Sequence, residues 1–138
     1  MTLYLLYTWL LANLLHPLLF WIVFFLTGSG LAAKPQIGHV IAFMGVSSVF
    51  SFPALFFAGL GLNIIVNARQ QLYTCLFVWI VTVAGSIILE TAGVLLFLRS
   101  LQWNTLAAFT PAVLAATMAI LIRHKQFGKL ITLYNNRI

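Results

Sequence analysis

Acidic side chains are almost absent from this sequence. Of its 138 residues only one is Asp or Glu, namely Glu90, and charged residues of either sign make up 6% of the chain. Hydrophobic residues make up 63%. A water-soluble domain of this length needs far more polar surface than such a composition supplies. The composition therefore argues against a soluble globular domain and predicts an integral membrane protein.

Cysteine is equally scarce, because Cys75 is the only one in the sequence. A single cysteine excludes an intramolecular disulfide and a cysteine metal cluster. His16, His39 and His124 do not have the spacing of a haem or zinc pair within one helix. We therefore expect neither a metal nor a cofactor.

Catalytic motifs are also lacking. Ser47, Ser48 and Ser51 have no nearby general base and no glycine pattern typical of a nucleophile elbow. We expect that the protein is not an enzyme and that these serines serve packing.

Long apolar runs fill the rest of the chain. The run from Leu72 to Leu98 would form about 40 Å of helix at roughly 1.5 Å per residue, enough to cross a hydrocarbon core of about 30 Å. Short connections make successive helices antiparallel. We therefore predict one all-α membrane domain over residues 1–138, an antiparallel bundle of four transmembrane helices at about 3–27, 38–66, 72–98 and 105–122.

Basic residues predict the orientation of this bundle. The larger group flanks one side and consists of Arg69, Arg123, Lys125, Lys129 and Arg137, whereas Lys34 and Arg99 flank the other. By the positive-inside rule, both termini face the cytoplasm, and we expect a multi-pass protein of the cell (inner) membrane. Because no basic residue precedes the first apolar run, that run is expected to be a retained helix and not a cleaved signal.

Two predicted spans contain a proline near the middle, Pro17 in the first and Pro53 in the second. Proline removes a helix hydrogen bond and favours a bend, whose freed carbonyl groups need a partner. Polar residues precede both prolines. We therefore expect two bent helices side by side.

Small residues recur at steps of three and four on several spans, where they allow close helix packing in lipid. The predicted packing residues are Ala54, Ala58, Gly61, Gly93, Ala108, Ala112, Ala115 and Ala119. The small-residue faces exceed what one bundle interior needs. This surplus indicates self-association.

Glu90 is the first candidate for a functional residue, because an ionisable group within a membrane is costly. One hypothesis is that it binds and releases a proton or a cation, with His16 as a second site residue. The other is that a protonated carboxyl group bonds a neighbouring helix and fixes the bundle. The polar residues that could line a path or the bundle interior are Asn13, Ser48, Ser51, Thr82, Ser86 and Thr110.

The segment from His124 to Ile138 has the pattern of a short amphipathic basic helix. Its apolar face suits the surface of an anionic lipid bilayer, and Arg123, Lys125, Lys129 and Arg137 suit either that surface or a partner protein. These cations lack a spaced aromatic stacking platform. We therefore expect no nucleic acid partner.

Three functions remain compatible with the sequence. The first, which the surplus of small-residue surface favours over the other two, is a homo-oligomeric channel or pore, of which a membrane-permeabilising effector is a variety. The second is a proton-coupled small transporter that uses Glu90. The third is a non-catalytic membrane subunit that anchors a partner protein through its tail.

Overall fold

The computed structural model of the chain describes residues 1–26, 38, 41, 45, 47–49, 51–68, 70–97 and 110–135. These residues are almost entirely helical, which confirms the predicted fold class at that level. Five helices have defined bounds: α1 (Thr2–Leu26), α2 (Phe52–Asn67), α3 (Leu72–Phe97), α4 (Thr110–Ile122) and α5 (His124–Asn135). Residues 38, 41, 45 and 47–49 are helical as well.

Helices α1 and α3 are long and apolar enough to cross a membrane, over Thr2–Val23 and Leu72–Gly93. Helices α2 and α4 are shorter but also apolar. Polar side chains in the long helices bond their own backbone, as Thr8 Oγ1 donates to the Tyr4 carbonyl at 2.7 Å and Ser86 Oγ to the Thr82 carbonyl at 2.8 Å. Such local bonds let a hydroxyl group occupy an apolar helix without an unsatisfied donor.

The predicted second span turns at Ser51. The Ser51 N–H still bonds the Ser47 carbonyl at 2.9 Å, and α2 begins at the next residue with Pro53 in its first turn. Proline suits this position, because the first N–H groups of a helix have no partner within the helix. The turn therefore lies two residues before the proline that predicted a bend.

Neighbouring helices run antiparallel. Along α1, Trp9 and then His16 meet Ser51 and then Ser47, so the chain directions oppose. Ala54 and Gly61 of α2 meet α3 in the opposite order, because Ala54 lies at Glu90 and Gly61 lies against Thr82. The most extensive pairing joins α1 to α4.

The small residues of α4 lie inside this packing. Ala115, Ala116 and Ala119 are buried against neighbouring helices of the same chain. Small side chains permit such a close approach of helix backbones. These small residues of α4 therefore pack within one chain.

Helix α5 folds back onto one end of the other helices. Phe127, Leu130 and Ile131 are buried in a cluster with residues of α2 and α3, including Leu62 and Trp79. The apolar face that suited a lipid surface thus packs on the protein itself. Lys125 and Lys129 remain exposed.

Candidate functional site

A cavity of about 380 Å³ lies between α1, the segment around Ser51, and helices α2, α3 and α4. Its wall is mostly apolar. The polar side chains on it come from both long helices and the intervening turn, and they are Thr8, Asn13, His16, Ser47, Ser51, Glu90 and Thr91. An apolar cavity with a few convergent polar groups is the usual form of a small-molecule site.

One side of the cavity is a row of hydrogen bonds between α1 and the turn at Ser51. Trp9 Nε1 donates to Ser51 Oγ at 2.9 Å, and Asn13 Nδ2 lies 3.3 Å from the same oxygen. His16 Nδ1 lies 3.1 Å from Ser47 Oγ. Positions 9, 13 and 16 share one helix face because they are spaced by four and three residues. This row fixes the polar side of the cavity.

Glu90 enters the cavity from α3. Its carboxyl group lies within hydrogen-bonding range of the backbone N–H of Ala54, in the first turn of α2. The N–H groups of a first turn lack partners in their own helix and carry partial positive charge, so they favour a carboxylate. The start of α2 at Ser51 is therefore what provides a polar partner for Glu90.

The described wall of the cavity contains one acidic side chain and one histidine as its titratable groups. Glu90 is the only acidic side chain in the sequence, and none of the described residues that line the cavity is a lysine or an arginine. His16, across the cavity on α1, is the other titratable group among those lining residues. A carboxylate at Glu90 thus has no neutralising cationic side chain of Lys or Arg type on the described wall.

Two indole rings form part of the apolar wall. Trp9 and Trp79 both line the cavity, and Trp79 is 1% exposed. The Trp9 ring also meets Phe52 edge-on, at 6.3 Å between ring centroids. These two indole rings are the largest side chains among the described lining residues.

Several of the predicted site residues come together on this wall. Glu90 and His16 line the cavity, as do Asn13, Ser51, Ala54, Ala58 and Ala112. The structure thus gathers the proposed proton or cation residues with two of the predicted lining residues.

Other predicted residues are placed elsewhere. Thr82 and Ser86 are not among the described lining residues, and each donates to a carbonyl one turn earlier on α3. Ser48 contributes its carbonyl to Ser51 Oγ at 3.3 Å, and Thr110 is exposed at the start of α4.

Some of the predicted packing residues lie against other helices and some do not. Gly61 packs against Thr82, whereas Gly93 is exposed with open space around it. Ala115 and Ala119 are buried between helices. Ala108 and Arg137 lie outside the described residues.

Trp9 and Thr91 line the cavity but are not among the site residues predicted from the sequence. Trp9 could have been found from its spacing, since it lies four residues before Asn13 and seven before His16. Thr91 follows Glu90 directly, and only the path of α3 past the other helices determines that both line the cavity.

A second polar feature lies at the junction of α4 and α5. The Arg123 guanidinium group lies over the rings of Tyr4 and Tyr7, 5.2 Å and 5.3 Å from their centroids. Cation–π contacts of this kind stabilise a partly buried cation. Arg123 therefore joins the start of α1 to the end of α4, while Lys125 and Lys129 are exposed.

Among the described residues, no three His, Cys, Asp or Glu side chains gather as a metal site would require. Comparisons with family models, with curated proteins and with solved structures give no match to this chain.

Proposed function

We propose that the protein is a four-span membrane transporter that binds a small solute in its interior cavity and exchanges it for a proton at Glu90. The observation that carries this proposal is the cavity itself, which holds the only acidic side chain of the chain beside the first turn of α2. Polar and ionisable groups within membrane spans typically mark the path of an ion or substrate.

The distribution of apolar surface supports a membrane location. One face of α1 exposes six large aliphatic side chains by 40% to 68% of their area, namely Leu3, Leu6, Leu10, Leu14, Leu18 and Ile22. Phe56, Leu60 and Ile64 form a similar exposed face on α2. Surfaces of this kind need lipid or protein around them. Helices α1 and α3 each have the length of a span, and in the proposal α4 and the bent second segment complete the four.

Burial of the small residues favours an interior site over a pore between subunits. Ala108, Ala112 and Ala116 had suggested self-association because they form a second row of small side chains on the predicted fourth span. Of these, Ala116 is 5% exposed within one chain. The surplus of surface formed by small residues, which favoured a homo-oligomeric pore, is therefore smaller than the sequence indicated. The pore, and a subunit that anchors a partner through Lys125 and Lys129, stay predictions.

Each polar group has a role in this proposal. Glu90 holds either the proton or the solute, and the N–H of Ala54 stabilises the carboxylate after the proton leaves. Asn13 and Ser51 fix the opposite wall, and His16 lies beside them as a second proton acceptor. In this proposal the spans open to alternate sides at Pro17, which removes a hydrogen bond from α1, and at the turn at Ser51.

The test uses purified protein in liposomes that contain a pH-sensitive dye. A panel of cationic, neutral and anionic solutes is added outside, and proton movement is recorded. At least one solute is expected to drive proton movement through the wild-type protein, and Glu90→Gln abolishes it while Glu90→Asp retains part of it. The proposal fails if no solute moves protons, or if Glu90→Gln behaves as the wild type does.

A further inference from the structure

We propose that the cavity binds a small organic cation, a compact apolar body with one positive charge that pairs with Glu90. This inference rests on the proposed function, since it names the class of solute that the cavity accepts. It is argued from the charge, the walls and the size of the cavity.

Charge selects the sign of the ligand. Helix α1 contributes His16 as its titratable lining residue and α3 contributes Glu90, while the described lining residues of 47–51, α2 and α4 have no ionisable side chain. An anion would meet a carboxylate with no lysine or arginine on the described wall to offset the repulsion. A single positive charge matches the single carboxylate, and attraction between them is stronger beside a mostly apolar wall than in bulk water.

The apolar lining of the cavity favours a hydrophobic ligand. Apart from its few polar groups, the cavity is lined by aliphatic and aromatic side chains such as Leu55, Val83 and Ile87. Trp9 and Trp79 also line the cavity, and indole rings are the aromatic groups that interact best with organic ammonium ions. Inorganic cations require several oxygen ligands instead. The lining therefore suits a hydrophobic ammonium ion better than a metal ion.

The volume limits the size of the ligand. About 380 Å³ lies near the lower end of the range of roughly 300–1,000 Å³ that small-molecule sites occupy. A ligand with one aromatic ring and a quaternary ammonium group fits such a space, and benzyltrimethylammonium is a suitable probe.

Binding of radiolabelled benzyltrimethylammonium to the purified full-length protein in detergent tests the inference. Neopentylbenzene has the same shape with carbon in place of nitrogen, and it serves as the uncharged competitor. We expect Glu90→Gln to weaken binding of the cation at least tenfold, while the affinity for neopentylbenzene changes less than twofold. Because both proteins are measured in the same detergent, partition of neopentylbenzene into micelles cancels from the comparison.

A charge-conserving variant and a flux measurement make the outcomes distinct. Glu90→Asp should retain binding of the cation. If Glu90→Gln and Glu90→Asp both lose binding of the cation and of neopentylbenzene, the inference is overturned in favour of a structural role for Glu90. Equal binding of the cation by wild type and Glu90→Gln would overturn it as well. If the cation binds through Glu90 but moves no protons in liposomes, the ligand class stands and the transport proposal fails.

Discussion

At the scale of single residues, the carboxyl group of Glu90 contacts two different environments. The apolar wall of the cavity favours a neutral carboxyl group, whereas the N–H of Ala54 favours a carboxylate. Neither environment includes a fixed ion pair with lysine or arginine among the described lining residues. A carboxyl group in such a position can change its state when a ligand or a proton arrives, which a permanent ion pair would oppose.

The sequence was sufficient to identify Glu90 and His16 as candidates, because ionisable residues in apolar runs are rare. It was not sufficient to place Ala54 N–H at the carboxyl group. That contact depends on where α2 begins, and the first N–H groups of a helix become available only at its start. Ser86 and Thr82 lie about one and two turns before Glu90 on α3, yet Thr82 packs against Gly61 and neither is among the described lining residues.

Ser51→Ala tests the hydrogen-bonded wall. Removal of Ser51 Oγ takes the acceptor from Trp9 Nε1 and Asn13 Nδ2, and we expect a loss of about 1–3 kcal/mol in the free energy of unfolding. Thermal unfolding followed by circular dichroism in detergent measures it. Thr132→Ala is the control, because that exposed hydroxyl bonds only its own helix in the contacts described. A wild-type melting curve for Ser51→Ala would contradict the proposed wall.

Gly61→Ala tests the contact between α2 and α3. A Cβ at Gly61 would collide with Thr82 Cγ2, so we expect a destabilisation of about 1–3 kcal/mol, the usual cost of overpacking. Thr82→Ser removes that methyl group and should restore most of the stability in the double variant. Gly93→Ala is the matched control, since a Cβ there meets nothing within 4 Å. Absence of rescue by Thr82→Ser would show that the two residues do not meet.

At the scale of helices, apolar run lengths predicted α1 and α3 nearly to the residue, whereas the contacts of α5 could not be read from its pattern. An amphipathic helix has an apolar face whether it covers lipid or protein. The position of Phe127 over the ends of α2 and α3 depends on the turn at Arg123, where the backbone N–H bonds the carbonyls of both Ala119 and Ile120. The burial of α4 likewise depends on which helices surround it, and the sequence pattern of α4 alone does not specify them.

Phe127→Ala tests whether α5 is part of the folded core. Phe127 is fully buried, and loss of a large buried aromatic side chain typically costs about 3–5 kcal/mol. Leu133→Ala is the control on the same helix, because Leu133 is 63% exposed. We expect thermal unfolding to show a large decrease for the first variant and little change for the second. Equal, small effects would instead favour a helix that rests on the lipid surface.

At the scale of the whole molecule, the proposal requires that both ends of the chain lie on one side of the membrane. In a Cys75→Ser background, Thr2→Cys and Asn135→Cys should react with a membrane-impermeant thiol reagent only after cells are permeabilised. Both positions are exposed, so access to the reagent depends on the side of the membrane alone. Labelling of either position in intact cells would contradict the four-span orientation.

Infrared difference spectroscopy of the Glu90 carboxyl group tests the central claim most directly. Because the sequence contains no other acidic side chain, selective isotope labelling of glutamate isolates this one group. Addition of benzyltrimethylammonium to the protein in lipid should convert labelled carboxylic acid bands to carboxylate bands, and Glu90→Gln should lack the signal. Bound ligand with unchanged glutamate bands would contradict the account, because the carboxyl group would then take no part in occupation of the cavity.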